Sequence, residues 1–245
     1  MHLNSMKKFF IAALALMTLC VSSCNRTEPQ DPVYMAAALV TMRPQADGSF
    51  YMKATEETAL VAINDDLKKY PFEDGKEHRA LVQFTYDPED PGTSVVPGYK
   101  TTQEVEVFTL DTILTKKPLV YEEEKDESYG KSMIGLYITD EVFPTTVVED
   151  GYLTARMALP MGVSGVTHTV DLLTGVDPDD PYTVELRHNM HGDDYYDNAE
   201  AVYCFPLKDL PDTEGKTVKL TIKWLSLVTG KAETAQFDYC TRTDW

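Results

Sequence analysis

From Val33 onward, short runs rich in Val, Thr, Tyr and Phe alternate with clusters of Gly, Pro and Asp. That rhythm predicts many short strands joined by turns. Residues 33–42 form a first apolar strand. Asp47-Gly48 is a turn signal, and residues 49–54 return as a hairpin partner. Strands follow at 58–64, 79–86 and 103–110. In the last of these, Val105 and Val107 alternate with Glu104 and Glu106, so one face is wet and the other buried. Residues 87–97 carry Pro88, Pro91 and Pro97 and read as a loop.

Five short strands suit a small barrel. Residues 121–128 then run through Glu122, Glu123, Glu124, Lys125, Asp126 and Glu127, a charge pattern expected of a solvated linker or loop. A domain boundary is placed near Pro118. Beyond it, strands are expected at 133–139, 145–148, 152–159, 166–173, 182–188, 199–207, 217–228 and 234–240. Between Thr217 and Trp224, Val218, Leu220, Ile222 and Trp224 share one face while Lys219, Thr221 and Lys223 share the other, as in a half-buried strand of a sandwich. The only helical suggestion is a turn at 64–70. The fold class is therefore all-β, with a small barrel over residues 33–118 and a β-sandwich over 119–245.

The start of the chain has a different grammar. Lys7 and Lys8 precede an uncharged stretch, Phe9 to Leu19, which ends in Val21, Ser22, Ser23 and Cys24. A basic start, a short apolar core and small residues at the end describe an export signal. Met6 is an alternative start to Met1. Small residues directly before a cysteine make Cys24 the expected point of cleavage and lipid attachment, ahead of Cys20, which follows the bulky Leu19. Residues 1–23 are then a lipoprotein signal peptide and 24–32 a tether. Several acyl chains give lasting attachment where one gives only marginal binding. The expected address is the bacterial cell envelope, at the outer membrane rather than the inner.

Composition agrees with a folded exported body. Thr (27) and Val (21) are abundant, as β structure favours. Lys and Arg number 22 against 40 Asp and Glu, for a net charge of −18, and loss of Lys7 and Lys8 with the signal takes it to −20. A nucleic-acid partner is excluded on that balance, because a phosphate backbone requires a basic footprint.

Several segments carry a family resemblance. Ala38-Leu39-Val40-Thr41-Met42, Ala46-Asp47-Gly48-Ser49-Phe50-Tyr51 and Arg79-Ala80-Leu81-Val82 resemble the first half of the NigD-like lipoproteins. Val147-Val148-Glu149-Asp150-Gly151-Tyr152-Leu153-Thr154, Pro181-Tyr182, Val184-Glu185-Leu186-Arg187-His188-Asn189, the stretch from Leu210 to Leu220 and Phe237-Asp238-Tyr239-Cys240 resemble the second. The resemblance covers nearly the whole exported chain. It implies an N-terminal OB-like barrel followed by a C-terminal β-sandwich, a lipid anchor, and an immunity or accessory role beside bacteriocin production. It supplies no catalytic residue.

Candidate chemistry is sparse. His168 and His188 end the apolar faces of two successive strands, and antiparallel pairing would make them direct or diagonal neighbours. With His191 and Asp193 they offer a zinc-type donor set, or else they are structural histidines followed by a polar turn. Asp177, Asp179 and Asp180 lie in a Pro-stiffened turn whose spacing departs from that of a calcium loop. Asp194, Tyr195 and Tyr196 form an acidic aromatic loop suited to binding a partner. Cys204 and Cys240 either form a disulfide or remain thiols. There is no phosphate loop, nucleophile elbow or zinc-protease helix motif. The expectation is a non-enzymatic binding module without a cofactor, held to the membrane by its lipid and facing a protein or peptide partner. A glycan-binding accessory protein and a metal-binding protein built on His168 and His188 are the alternatives.

Overall fold

The structure, a computed structural model, describes residues 34–68, 70–72, 75–139, 145–163 and 165–245. The signal, tether and Cys24 lie outside the described residues. The chain divides into two compact units between Thr112 and Ile113.

The first unit is a closed barrel of β1 (Tyr34–Pro44), β2 (Phe50–Lys53), β3 (Thr58–Ala62), β4 (His78–Tyr86) and β5 (Thr101–Thr112), in the order β1-β2-β3-β5-β4. β4 closes the ring against β1, antiparallel from Tyr34↔Tyr86 to Met42↔His78. β3 and β5 run parallel. The turn between β1 and β2 is built as the sequence demands. Gly48 takes φ +83°, and the Asp47 carboxylate accepts from the Ser49 amide (2.9 Å) and hydroxyl (2.6 Å). Alternation fills the interior: Val40, Met42, Met52, Val82, Phe84, Val105 and Val107 are all buried.

The second unit is a sandwich of two five-stranded sheets. One contains β6 (Leu114–Thr115), β8 (Gly135–Leu136), β9 (Val147–Glu149), β10 (Tyr152–Met161) and β13 (Asp197–Pro206), with β10 at its centre. The other, in the order β15-β14-β12-β11-β7, contains β7 (Leu119–Val120), β11 (Thr169–Thr174), β12 (Thr183–Asn189), β14 (Val218–Leu225) and β15 (Ala232–Tyr239). Leu153, Met157, Phe205, Leu172, Leu186, Leu220, Ile222 and Trp224 form the shared core. Leu114-Thr115 and Leu119-Val120 add to β13 and β11, which explains why these residues group with the sandwich.

The charge run is not a free linker. Glu123–Tyr129 forms a 3-10 helix with Tyr129 buried. Asp126 Oδ1 lies 3.0 Å from Arg187 on β12, and Asp126 Oδ2 lies 2.7 Å from Lys131. Ion pairing holds a segment whose composition alone reads as solvated.

Candidate functional site

Two crossovers lie side by side at one end of the sandwich. Residues 162–168 carry the chain from β10 to β11, and residues 190–196 carry it from β12 to β13. Each passes from one sheet to the other. The Tyr196 amide donates to the Met161 carbonyl at 2.8 Å, so the second crossover enters β13 already paired with the end of β10.

The strand register sets the histidines. Val170 is opposite His188, and Thr169 is opposite Asn189. His168 stands just before the ladder, diagonal to His188, with the ring centroids 5.2 Å apart. His168 Nδ1 is 3.1 Å from His188 Nε2. His168 Nε2 is 3.1 Å from Asp193 Oδ2, and His188 Nδ1 is 3.4 Å from the Met133 carbonyl. His188 is fully buried, and the side chains of His168 and Asp193 are 5% and 3% exposed. Burial pushes the His188 pKa down to about 4, with the neighbouring His168 and His191 acting in the same direction and the Met133 carbonyl opposing.

Asp193 also accepts from two backbone amides, Gly162 at 2.9 Å and Asp194 at 3.1 Å. Its carboxylate therefore clasps one crossover to the other. The approach is so close that a Cβ on Gly162 would lie 2.1 Å from the Asp194 carbonyl oxygen and 2.3 Å from Asp193 Oδ1. Only glycine fits there. Gly162 and the Met133 carbonyl were not legible as members of this cluster, because their roles arise from the approach of chain segments distant in sequence.

The zinc-type reading needs correcting. His168, His188 and Asp193 do come together, but His191 does not join them: its Nε2 lies 3.2 Å from the Thr169 hydroxyl. Every ring nitrogen of His168 and His188 already has a protein partner. Among the described residues, no three His, Cys, Asp or Glu side chains are disposed to hold a metal ion. The carboxylates of the Pro-stiffened turn are likewise engaged locally: Asp177 accepts from the Asp179 amide, and Asp180 accepts from Tyr182 and Thr183.

Cys204 and Cys240 do not bridge to each other. Cys204 is buried on β13, 3.8 Å from the Thr154 hydroxyl. Cys240 follows β15, in the other sheet, and is exposed beside Thr213. The two strands belong to different sheets, so no ladder makes them neighbours.

Around the clasp the surface is apolar and aromatic. Tyr195 and Tyr196 are 63% and 74% exposed, and Val163 on the adjoining crossover is 79% exposed. Val166 is also exposed, and Asp194 and Asp197 flank the tyrosines on the solvent side. In the barrel, a cleft of about 380 Å³ is lined by Phe50, Val61, Ile63, Lys68, Ser94 and Glu104. Its charged groups are engaged: Lys68 pairs with Asp65, and Glu104 accepts from the Ser94 hydroxyl and the Thr93 and Ser94 amides. Those bonds, led by the Ser94 hydroxyl, hold the Glu104 carboxyl below its ordinary range.

No curated protein matches this chain. Solved structures share its fold. A protein named as toxin-related from Parabacteroides distasonis is 26% identical, with a TM-score of 0.64 over 84% of this chain and 94% of that one. A NigD-like immunity protein from Bacteroides caccae is 17% identical, with a TM-score of 0.56 over 84% and 97%. A protein named as a lipoprotein from Bacteroides fragilis is 10% identical, with a TM-score of 0.61 over 85% and 100%. The model of the NigD-like C-terminal beta sandwich domain matches residues 117–239, which hold β7 to β15 and the His168–Asp193 clasp. With half of its length matched in this way, the chain belongs to the NigD-like family.

Proposed function

We propose that this is a lipid-anchored envelope protein whose sandwich captures a protein or peptide partner without catalysing a reaction. The observation that carries the reading is the exposure of Val163, Val166, Tyr195 and Tyr196 on the two crossovers at one end of the sandwich. Tyrosines and valines exposed on loops that are clasped to each other offer aromatic and apolar surface of the kind that anchors protein contacts. Asp194 and Asp197 border it, and the whole chain is strongly acidic, so a basic partner fits by charge. The valines favour a protein over a sugar, which tyrosines alone would suit equally.

The anchor is Cys24. Its sequence setting supports it, as does likeness in fold to a protein named as a lipoprotein. Likeness to a NigD-like immunity protein supports a bacteriocin-associated role, with a secreted toxin as the captured partner. The test is photo-crosslinking from position 196 in intact envelopes. A discrete protein adduct that disappears in a Tyr195→Ala variant carrying the same probe supports the reading. Adducts indifferent to that substitution, or glycan adducts alone, overturn it.

A further inference from the structure

β13 is paired unequally on its two sides. Successive residues of a strand turn their amides and carbonyls to opposite sides. The Leu207 amide donates to the Gly151 carbonyl beside β10 at 2.8 Å, and the Lys116 amide donates to the Cys204 carbonyl beside β6 at 2.8 Å. The register of β13 with β10 is unbroken from Asp197 to Pro206. Odd-numbered positions therefore face β10, while Asn198, Glu200, Val202 and Cys204 face away from it. Among the described residues, the only strand on that far side is β6, which pairs at Tyr203 and Cys204. Upstream of that contact, the Glu200 amide and carbonyl and the Asn198 carbonyl face an open lane. The Asn198 amide is already satisfied by the Asp197 carboxylate at 2.8 Å. Asp197, Asn198, Ala199 and Glu200 are all exposed.

The comparable stretch of β11, beyond its pairing with β7 at Leu173 and Thr174, is closed by a side chain: Lys116 Nζ donates to the Val170 carbonyl and pairs with Asp171 at 2.7 Å. Residues 197–201 of β13 have no such plug among the described residues. Ala199 and Ala201 stand on the core-facing side, level with Leu159 and Met157 of β10. Ala201 packs against the core cluster and Ala199 is exposed, so these small side chains leave apolar surface uncovered beside the lane. Glu200 stands on the opposite face, 2.9 and 3.1 Å from Arg156. From Met190 to Val202 the chain carries Asp193, Asp194, Asp197 and Glu200, with no Lys or Arg.

We propose that an extended segment of the captured protein pairs with β13 along residues 197–201, laying apolar residues over Ala199 and Ala201 and basic residues beside Asp197 and Glu200. A peptide added to an open ladder draws affinity from main-chain hydrogen bonds and specificity from alternate side chains. At about 3.3 Å per residue, the lane suits a segment of about five residues. It begins directly after Tyr195 and Tyr196, so the aromatic surface and the lane are continuous along the chain. The inference rests on the reading of that end as the capture face, and it names the chemistry captured: an extended, basic segment with alternating apolar residues. A second copy of this chain is a poor occupant, because its own Asp197 and Glu200 would lie against these, and like charges across a ladder destabilise it.

The test uses the full chain and a synthetic peptide, Lys-Val-Lys-Val-Lys-Val, blocked at both ends. At saturating peptide, hydrogen exchange of the Glu200 amide should slow about tenfold or more, as expected when an open amide gains a ladder partner. The same sequence with every backbone amide methylated keeps its side chains and should give no protection. Binding without protection of Glu200, or no binding at millimolar peptide, overturns the proposal. Protection that rises with protein concentration in the absence of peptide identifies a second copy as the occupant and overturns it as well. In envelopes, Glu200→Pro removes an amide that faces the lane and spares the ladder with β10, whereas Glu200→Ala removes the carboxylate and keeps the amide. The adduct from position 196 should fall about tenfold or more in Glu200→Pro and less in Glu200→Ala. An undiminished adduct in Glu200→Pro refutes the lane and leaves the capture face standing. Absence of any adduct in the parent chain refutes the capture face, while protection of Glu200 by the peptide still decides the lane. If Glu200→Pro does not fold, exchange in the parent chain decides alone.

Discussion

The Asp193 carboxylate reaches across from one crossover to sit 3.1 Å from His168 Nε2 on the other, with both side chains nearly sealed from water. Removing the carboxylate in Asp193→Ala leaves the His168 ring and the Gly162 amide without their partner. Leaving a buried donor without its acceptor costs about 1–3 kcal/mol. The expected outcome is a loss of that order in denaturant unfolding of the sandwich. Asp193→Asn, which keeps an acceptor for Gly162, should lose less.

Acid should weaken the sandwich through His188. Its pKa is pushed from 6.5 down to about 4 in the folded chain. Between those values the unfolded chain takes up a proton that the folded chain refuses. Stability from this group is therefore full above about pH 6.5 and falls as pH drops toward 4. The shift corresponds to about 3 kcal/mol. Urea midpoints measured across that range should fall with acid, and the slope should flatten in His188→Gln when each variant is compared with its own value at neutral pH.

Gly162→Ala should be among the most damaging single-methyl additions in the molecule. The new Cβ would meet the backbone oxygen of Asp194 at 2.1 Å, and backbone cannot swing aside as a side chain can. Overpacking of this kind costs about 1–3 kcal/mol. Thermal unfolding should show the loss, and Tyr195 and Tyr196 should become more susceptible to proteolysis around them.

Tyr195→Ala and Tyr196→Ala should behave in the opposite way. Both side chains are largely exposed, so stability should change by no more than about 0.5 kcal/mol. Partner capture should fall sharply. Equal capture by the double variant would remove this face from consideration.

The thiols give a chemical check on the sandwich. Cys240 is exposed and should react with a maleimide in the native chain, whereas buried Cys204 should react only after denaturation. Reducing agent should leave the unfolding midpoint unchanged. A midpoint that falls on reduction would point to a bridge.

Much of this architecture is legible in the chain because burial writes itself as alternation. Val105 and Val107 point inward between outward Glu104 and Glu106, and Leu220, Ile222 and Trp224 line one face of β14. The meeting of His168 and His188 is legible for the same reason, since each ends an inward-facing row. What Asp193 does is less legible. A carboxylate in a polar turn looks solvated until the other crossover is laid against it. The 3-10 helix at Glu123–Tyr129 is hidden by composition: the charges from Glu122 to Glu127 suggest water, while the distant Arg187, the Asn189 side chain donating to the Ser128 carbonyl and the burial of Tyr129 fix it to the sandwich.

Closing β1 onto β4 joins the first unit's strands in a ring with no end strand. An open edge is a template on which a neighbouring chain can add a strand. Pairing around the ring removes most of that template from the barrel. In the second unit, β15 is an edge strand and carries Glu233 and Asp238 along its length. Charges along an edge discourage pairing between copies. The barrel thus discourages strand addition by having no end strand, and β15 discourages it by its charges.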